Sequence, residues 1–181
     1  MTDQPPAVER ELESHDAFTP RDDGDGHQLE TTVFETIVTA DEGQGKRDGK
    51  FHVTISVPTL SAATNDDAGP SVDQIVEDGW FETLERRLED TFSLAHTSTH
   101  EAPTLERGSD EVRVILEYVA WDAGEGVEDA KTLIEYVEGT YAQGIVPGYE
   151  YEGEAAALLE NAQSQGQQAA DGNGESGGMP M

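Results

Sequence analysis

Acidic side chains, interleaved with apolar ones along nearly the whole length, set the terms on which this chain can fold. Thirty-nine Asp and Glu stand against ten Lys and Arg, a formal net charge of -29 over 181 residues. A compact body of that length exposes about 8,500 Å², which spaces the acids roughly 15 Å apart. At about 0.01 M salt the screening length is about 30 Å, so each carboxylate repels several neighbours; at about 1 M it shrinks to about 3 Å and most of the repulsion disappears. The chain is therefore expected to fold in molar salt. Its bases agree: Lys46, Lys50 and Lys131 are the lysines, against seven arginines. Disordered acidic regions carry their charge in blocks, whereas here acids alternate with apolar residues. The expectation is a halophilic cytoplasmic protein.

The same charge argues against a surface for nucleic acid, whose affinity rests on Lys and Arg neutralising phosphates. With no cysteine, thiolate chemistry and disulfides are closed to the chain. The opening Met1 to Pro6 has neither the basic nor the apolar region of a secretory signal. No apolar run approaches the roughly 20 residues that span a membrane, so no membrane association is expected.

Three regions are expected. Residues 1–26 hold a short helix from Pro6 to Ala17, followed by the acidic linker Pro20 to Gly26. Residues 27–162 form one α+β domain. Residues 163–181, rich in Gly and Gln, bury almost nothing and read as a disordered tail. Within the domain, Leu29 to Thr39 is rich in Thr, Val, Phe and Ile. Phe51 to Val57 alternates strictly, with Phe51, Val53, Ile55 and Val57 on one face. Glu111 to Trp121 alternates similarly through Val112, Val114, Leu116 and Tyr118. A weaker strand covers Leu94 to Leu105, interrupted by Pro103. Helices are expected over Ser71 to Asp90, with Gly79 suggesting a kink or two short helices, and over Val127 to Gln143. The latter has a 3.6-residue stripe of Ala130, Leu133, Ile134, Val137 and Tyr141, and Gly144 follows at the position that ends helices. A last helix spans about Glu154 to Ala162.

The order ββαββα(α) predicts a two-layer α+β sandwich. A four-stranded, mainly antiparallel sheet would carry its helices on one face. The order is a circular permutation of βαββαβ, the split-βαβ or ferredoxin-like arrangement, with strands in the order 1-2-4-3. Phe51 to Val57 and Glu111 to Trp121 are then expected at the centre, adjacent and parallel. The Leu94 to Leu105 strand lies at an edge, where Pro103 is tolerated.

Chemical motifs are sparse. His96 and His100 have an H-x-x-x-H spacing, but on a strand they lie about 13 Å apart, too far for one ion. The acidic run Asp22 to Gly26 fails the calcium-loop register, which would place Arg21 and Thr32 at ligand positions. Gly43 to Lys46 lacks phosphate-loop spacing. No catalytic residue, metal site or cofactor is predicted, and His15, His27 and His52 read as isolated. Two segments are less ordinary. Asp78-Gly79-Trp80-Phe81-Glu82 leads into Arg86 and Arg87, and Tyr136 to Tyr151 holds four tyrosines. Trp80, Arg86, Arg87, Tyr149 and Tyr151 are the candidate binding residues. Tyr141 is expected in the core, while Tyr149 and Tyr151, in an extended stretch, would point the same way.

These segments, Gly144-Ile145-Val146-Pro147-Gly148-Tyr149 and the Phe51 to Leu60 strand bear a likeness. From about Pro6 to Leu159 the chain resembles a family of uncharacterised haloarchaeal proteins, a domain of unknown function. The resemblance implies a salt-adapted protein and supplies no activity, site or cofactor. The function expected is a small binding, regulatory or interaction module whose partner is another protein or a second copy of itself. The alternative is a small enzyme whose carboxylates, Arg and His converge in space.

Overall fold

The computed structural model describes residues 4–161 apart from 25, 44 and 46. The Gly/Gln-rich tail expected over 163–181 lies outside the described residues.

Helix α1 (Pro6–Ser14) begins on two prolines, whose fixed φ suits a first helical turn, and buries Val8 and Leu12. Two three-residue strands follow, β1 (Phe18–Pro20) and β2 (His27–Leu29). Then come β3 (Glu35–Asp41) and β4 (Gly49–Pro58), the one-turn helix α2 (Leu60–Ala63) and α3 (Gln74–Leu88). A 3-10 turn at Thr91–Leu94 leads to β5 (Thr99–His100), β6 (Thr104–Arg107), β7 (Glu111–Ala120) and α4 (Ala123–Gln143). A last helix occupies 153–161.

The strands form one open sheet, ordered β1-β2-β3-β4-β7, with β5 and β6 sharing the free edge of β7. Pro103 falls between β5 and β6, where it interrupts no pairing. The sheet has seven strands, not four. The extra ones are too short to leave an alternation in the sequence, and the run from Leu29 to Thr39 is divided. The chain turns back over 30–34, where Glu138 of α4 accepts from the hydroxyl of Thr32 and, at 3.1 Å, from the Val33 amide. That turn drops Phe34 into the core, edge-on to Tyr141 at 5.1 Å.

The two longest strands, β4 and β7, are adjacent and central, paired from Gly49↔Ala120 to Pro58↔Glu111. They are antiparallel, which corrects the parallel pairing expected. The reason is the hairpin at Gly108 to Asp110. The chain leaves β4, passes through α3 and enters β6 in the direction of β4; it then reverses into β7, which slots between the two and must oppose both.

Alternation sorts the side chains. Phe51, Val53, Ile55 and Val57 of β4 and Val112, Val114, Leu116 and Tyr118 of β7 are buried on one face. The helices pack there. Helix α4 supplies Val127, Ala130, Leu133, Ile134, Val137 and Tyr141, and α3 supplies Trp80, Leu84 and Leu88. Gly126 of α4 lies so close to the sheet that a Cβ would meet the Phe51 ring at 2.4 Å; no larger residue fits. Tyr118 stacks on Phe51 at 5.1 Å and donates its hydroxyl to the Gly126 carbonyl at 2.6 Å.

Three local expectations change. Helix α3 runs unbroken through Gly79, and it starts after Asp73 rather than at Ser71. Ile75, on its first turn, is 86% exposed. Gly144 does end α4, but in a right-handed conformation, φ -87°, and in the turn that follows Gly148 is left-handed, φ 99°.

Candidate functional site

Three places on this scaffold have geometry beyond core packing. The first is the face of the sheet away from the helices. Register aligns its side chains in rows across β3, β4 and β7: Glu35–Ser56–Arg113, Ile37–Thr54–Ile115, Thr39–His52–Glu117 and Asp41–Lys50–Val119. Ile37, Ile115 and Val119 are half-buried, with short polar side chains between them. His52, isolated in sequence, lies between two carboxylates. Its Nε2 is 2.8 Å from Asp41 Oδ2, and its Nδ1 is 3.2 Å from Glu117 Oε1. At the end of this region the Arg47 guanidinium sits 5.3 Å above the exposed Trp121 ring.

The second place is the loop before β5. Asp129 of α4 is buried, and its carboxylate is fully used. Oδ1 accepts from the His96 amide at 2.7 Å and faces His96 Nδ1 at 2.9 Å; Oδ2 accepts from the Thr97 amide at 2.9 Å. The hydrogen bond to this carboxylate raises the His96 pKa above its ordinary value. His96 and His100 do not converge: His100 stacks on Phe92, with ring centroids 4.0 Å apart.

The third is a groove of about 490 Å³ between the end of α3 and α4, lined by Arg87, Asp90, Tyr136, Gly139, Thr140 and Gln143. Tyr136 donates its hydroxyl to the Arg87 carbonyl at 3.3 Å, and Thr140 donates to the Tyr136 carbonyl at 2.8 Å. A second concavity, about 570 Å³ at the ends of β4 and β7, is lined by Glu35, Asp110, Glu111 and Glu154 with two serines and no basic residue.

The candidate residues separate. Trp80 is in the core, 5% exposed and edge-on to Tyr141 at 5.9 Å. Its indole N–H lacks an acceptor among the described residues. Arg86 and Arg87 are exposed on the last turn of α3, as cations suit a helix C-terminus. Tyr141 is buried and donates to the Pro58 carbonyl at 3.1 Å; burial moves its phenol well above the ordinary range. Tyr151 pairs by backbone with Thr64 and gives its hydroxyl to the Val146 carbonyl. Tyr149 lies in a bend after Gly148, so the two rings are not set by strand alternation.

Asp41, Glu117, Asp129, Asp90, Tyr136 and Gly139 were not legible as site residues. Each acid is one of 39, and only the register or the helix pairing distinguishes it. Among the described residues no group of three or more His, Asp and Glu side chains is placed to hold a metal ion. Among them, too, no helix is long and apolar enough to cross a membrane.

Neither the curated proteins nor the solved structures contain a match to this chain. A family model does match it: residues 13–161 fit the one described as "Family of unknown function (DUF5813)", and the chain belongs to that family.

Proposed function

We propose that the chain is a small interaction module of a halophilic, haloarchaeal cytoplasm, and that it works by presenting its uncovered sheet face to a protein partner, in the first instance a second copy of itself. The observation behind this reading is the one-sidedness of the sheet. All the large apolar residues of β4 and β7 bar Ile115 and Val119 face the helices, and those two join Ile37 on a face free of helices. Four strand widths of about 4.8 Å and about ten residues at about 3.4 Å give a face of roughly 650 Å². Two such faces bury about 1,300 Å² together, within the range of specific interfaces. A two-fold axis across the strands at the Ile37–Thr54–Ile115 row sets Arg113 of one copy opposite Glu117 of the other. The acid excess supports the halophilic setting. The strand order β3-β4-β7-β6 with its α3 crossover supports the permuted split-βαβ reading.

Light scattering in about 2 M KCl tests the proposal on the full chain. The expected mass is that of a dimer, and Ile115→Lys should return a folded monomer. A wild-type monomer at all concentrations, or a dimer indifferent to Ile115→Lys, rejects the self-association. A second reading, a small enzyme, is favoured by the His96–Asp129 pair, in which a buried carboxylate orients an exposed imidazole. It requires a substrate-dependent activity that His96→Gln removes without loss of fold.

A further inference from the structure

The groove between α3 and α4 lies on the helical layer, away from the sheet face discussed above. Two features set it apart from an ordinary interhelical furrow. Gly139 stands in the interior of a 21-residue helix, where glycine is the least favourable residue short of proline. Packing does not call for it, since a Cβ there meets nothing within 4 Å. This contrasts with Gly126 in the same helix, which the Phe51 ring requires. The second feature is electrostatic. Arg21, Arg107, Arg113 and Lys131 are all engaged by carboxylates. Arg87, like Arg10, Arg47, Lys50 and Arg86, has no carboxylate at ion-pair distance among the described residues, although acids outnumber bases almost four to one, and of these five Arg87 is the one that lines this groove. Arg87 borders the groove with Asp90, Tyr136 and Gln143.

We propose that this groove binds a small zwitterion, a molecule bearing a carboxylate and an ammonium group in the manner of a free amino acid. Arg87 takes the carboxylate through its planar fork, a bidentate geometry that ammonium side chains cannot reproduce. Asp90 takes the ammonium group. Tyr136, Thr140 and Gln143 offer hydroxyl and amide groups to the remainder, and the space above Gly139 receives the ligand's body. Both signs of charge at one site matter in molar salt. There, screening over about 3 Å leaves only contact-range interactions, and a two-point site distinguishes a zwitterion from chloride or potassium.

Heteronuclear NMR of the full chain in about 2 M KCl tests this, using the twenty amino acids in mixtures and then singly, with acetate and methylammonium as single-charge controls. The indole N–H of Trp80, whose nitrogen would lie 3.8 Å from a Cβ at Gly144 beside the groove, reports binding; that of Trp121 on the opposite layer is the internal reference. At least one amino acid should shift Gly139, Gln143 and the Trp80 indole saturably, with no change at Trp121 and no effect of either control. Arg87→Lys keeps the charge but loses the fork and should weaken binding by about tenfold or more. Gly139→Met fills the groove with a better helix former and should raise the melting temperature while abolishing the shifts. The proposal is overturned if no amino acid produces a saturable shift, if acetate alone does as well, or if binding survives both substitutions.

Discussion

His27 is buried on β2 opposite Val38, and neither ring nitrogen has a hydrogen-bond partner among the described residues. Desolvation lowers its pKa, only partly offset by the nearby carboxylates of Glu13 and Glu9 on α1. The folded chain therefore keeps the ring neutral at pH values where the unfolded chain, with an ordinary value near about 6.5, takes up a proton. Stability from this residue is present above that value and is lost as pH falls below it. His96 acts in the opposite sense. Its raised pKa adds stability below about pH 6.5, lost as pH rises through the folded value. Replacing His27 separates the two. His27→Leu should stabilise the protein at neutral pH by about 1 kcal/mol, since it removes an unsatisfied buried polar group. It should also flatten the decline between about pH 6.5 and 5.5. Thermal melts of both chains at the two pH values, in the same molar salt, would contradict this if the curves fell in parallel. Nothing in the sequence marks His27 as buried. Its strand has three residues, and its alternation is too short to read.

Among the elements, those with long and regular periodicity were legible: β4, β7 and α4 stand close to where their alternation and 3.6-residue stripe put them. Elements defined by a partner were not. Strands β1 and β2 exist through their pairing with each other and with β3. The turn at 30–34 is held by Glu138, over a hundred positions away. The antiparallel pairing of β4 and β7 follows from the hairpin at Gly108 to Asp110, which sets β7 against both β6 and β4 and leaves no periodicity of its own in the sequence. Asp129 shows what a single helix residue contributes to this wiring. It fixes the loop between the 3-10 turn and β5 by accepting two backbone N–H groups with one buried carboxylate. Asp129→Ala leaves both donors without it and should cost about 2 to 4 kcal/mol. Asp129→Asn retains one acceptor oxygen and should cost less than Ala. Hydrogen exchange should accelerate at the amides of His96 and Thr97 before it changes in β4. Equal effects of Ala and Asn, or unchanged exchange at the two amides, would remove Asp129 from that role.

For the molecule as a whole the governing quantity is unbalanced charge. Arg21, Arg107, Arg113 and Lys131 hold the ion pairs that basic side chains make with Asp and Glu among the described residues, most of them partly exposed. Such pairs contribute little, about 0 to 1 kcal/mol each. Most carboxylates are therefore left to repel one another across a surface whose charge folding has concentrated. That repulsion is felt less in the expanded unfolded chain, so lowering the salt should favour unfolding. Circular dichroism should show cooperative melting in about 2 M KCl and its loss on dialysis to about 0.01 M, as the screening length grows more than tenfold. General salting-out of apolar surface would give the same trend, so the charge must be varied separately. Glu82, Glu85, Glu101 and Glu160 are exposed and make no ion pair among the described residues. Changing all four to Lys moves the formal charge by eight, from -29 to -21. If repulsion governs, the reversed chain should hold its structure at a clearly lower KCl concentration. An unmoved salt midpoint would assign the dependence to apolar burial, and full thermal stability of the wild type at low salt would end the argument for salt adaptation altogether.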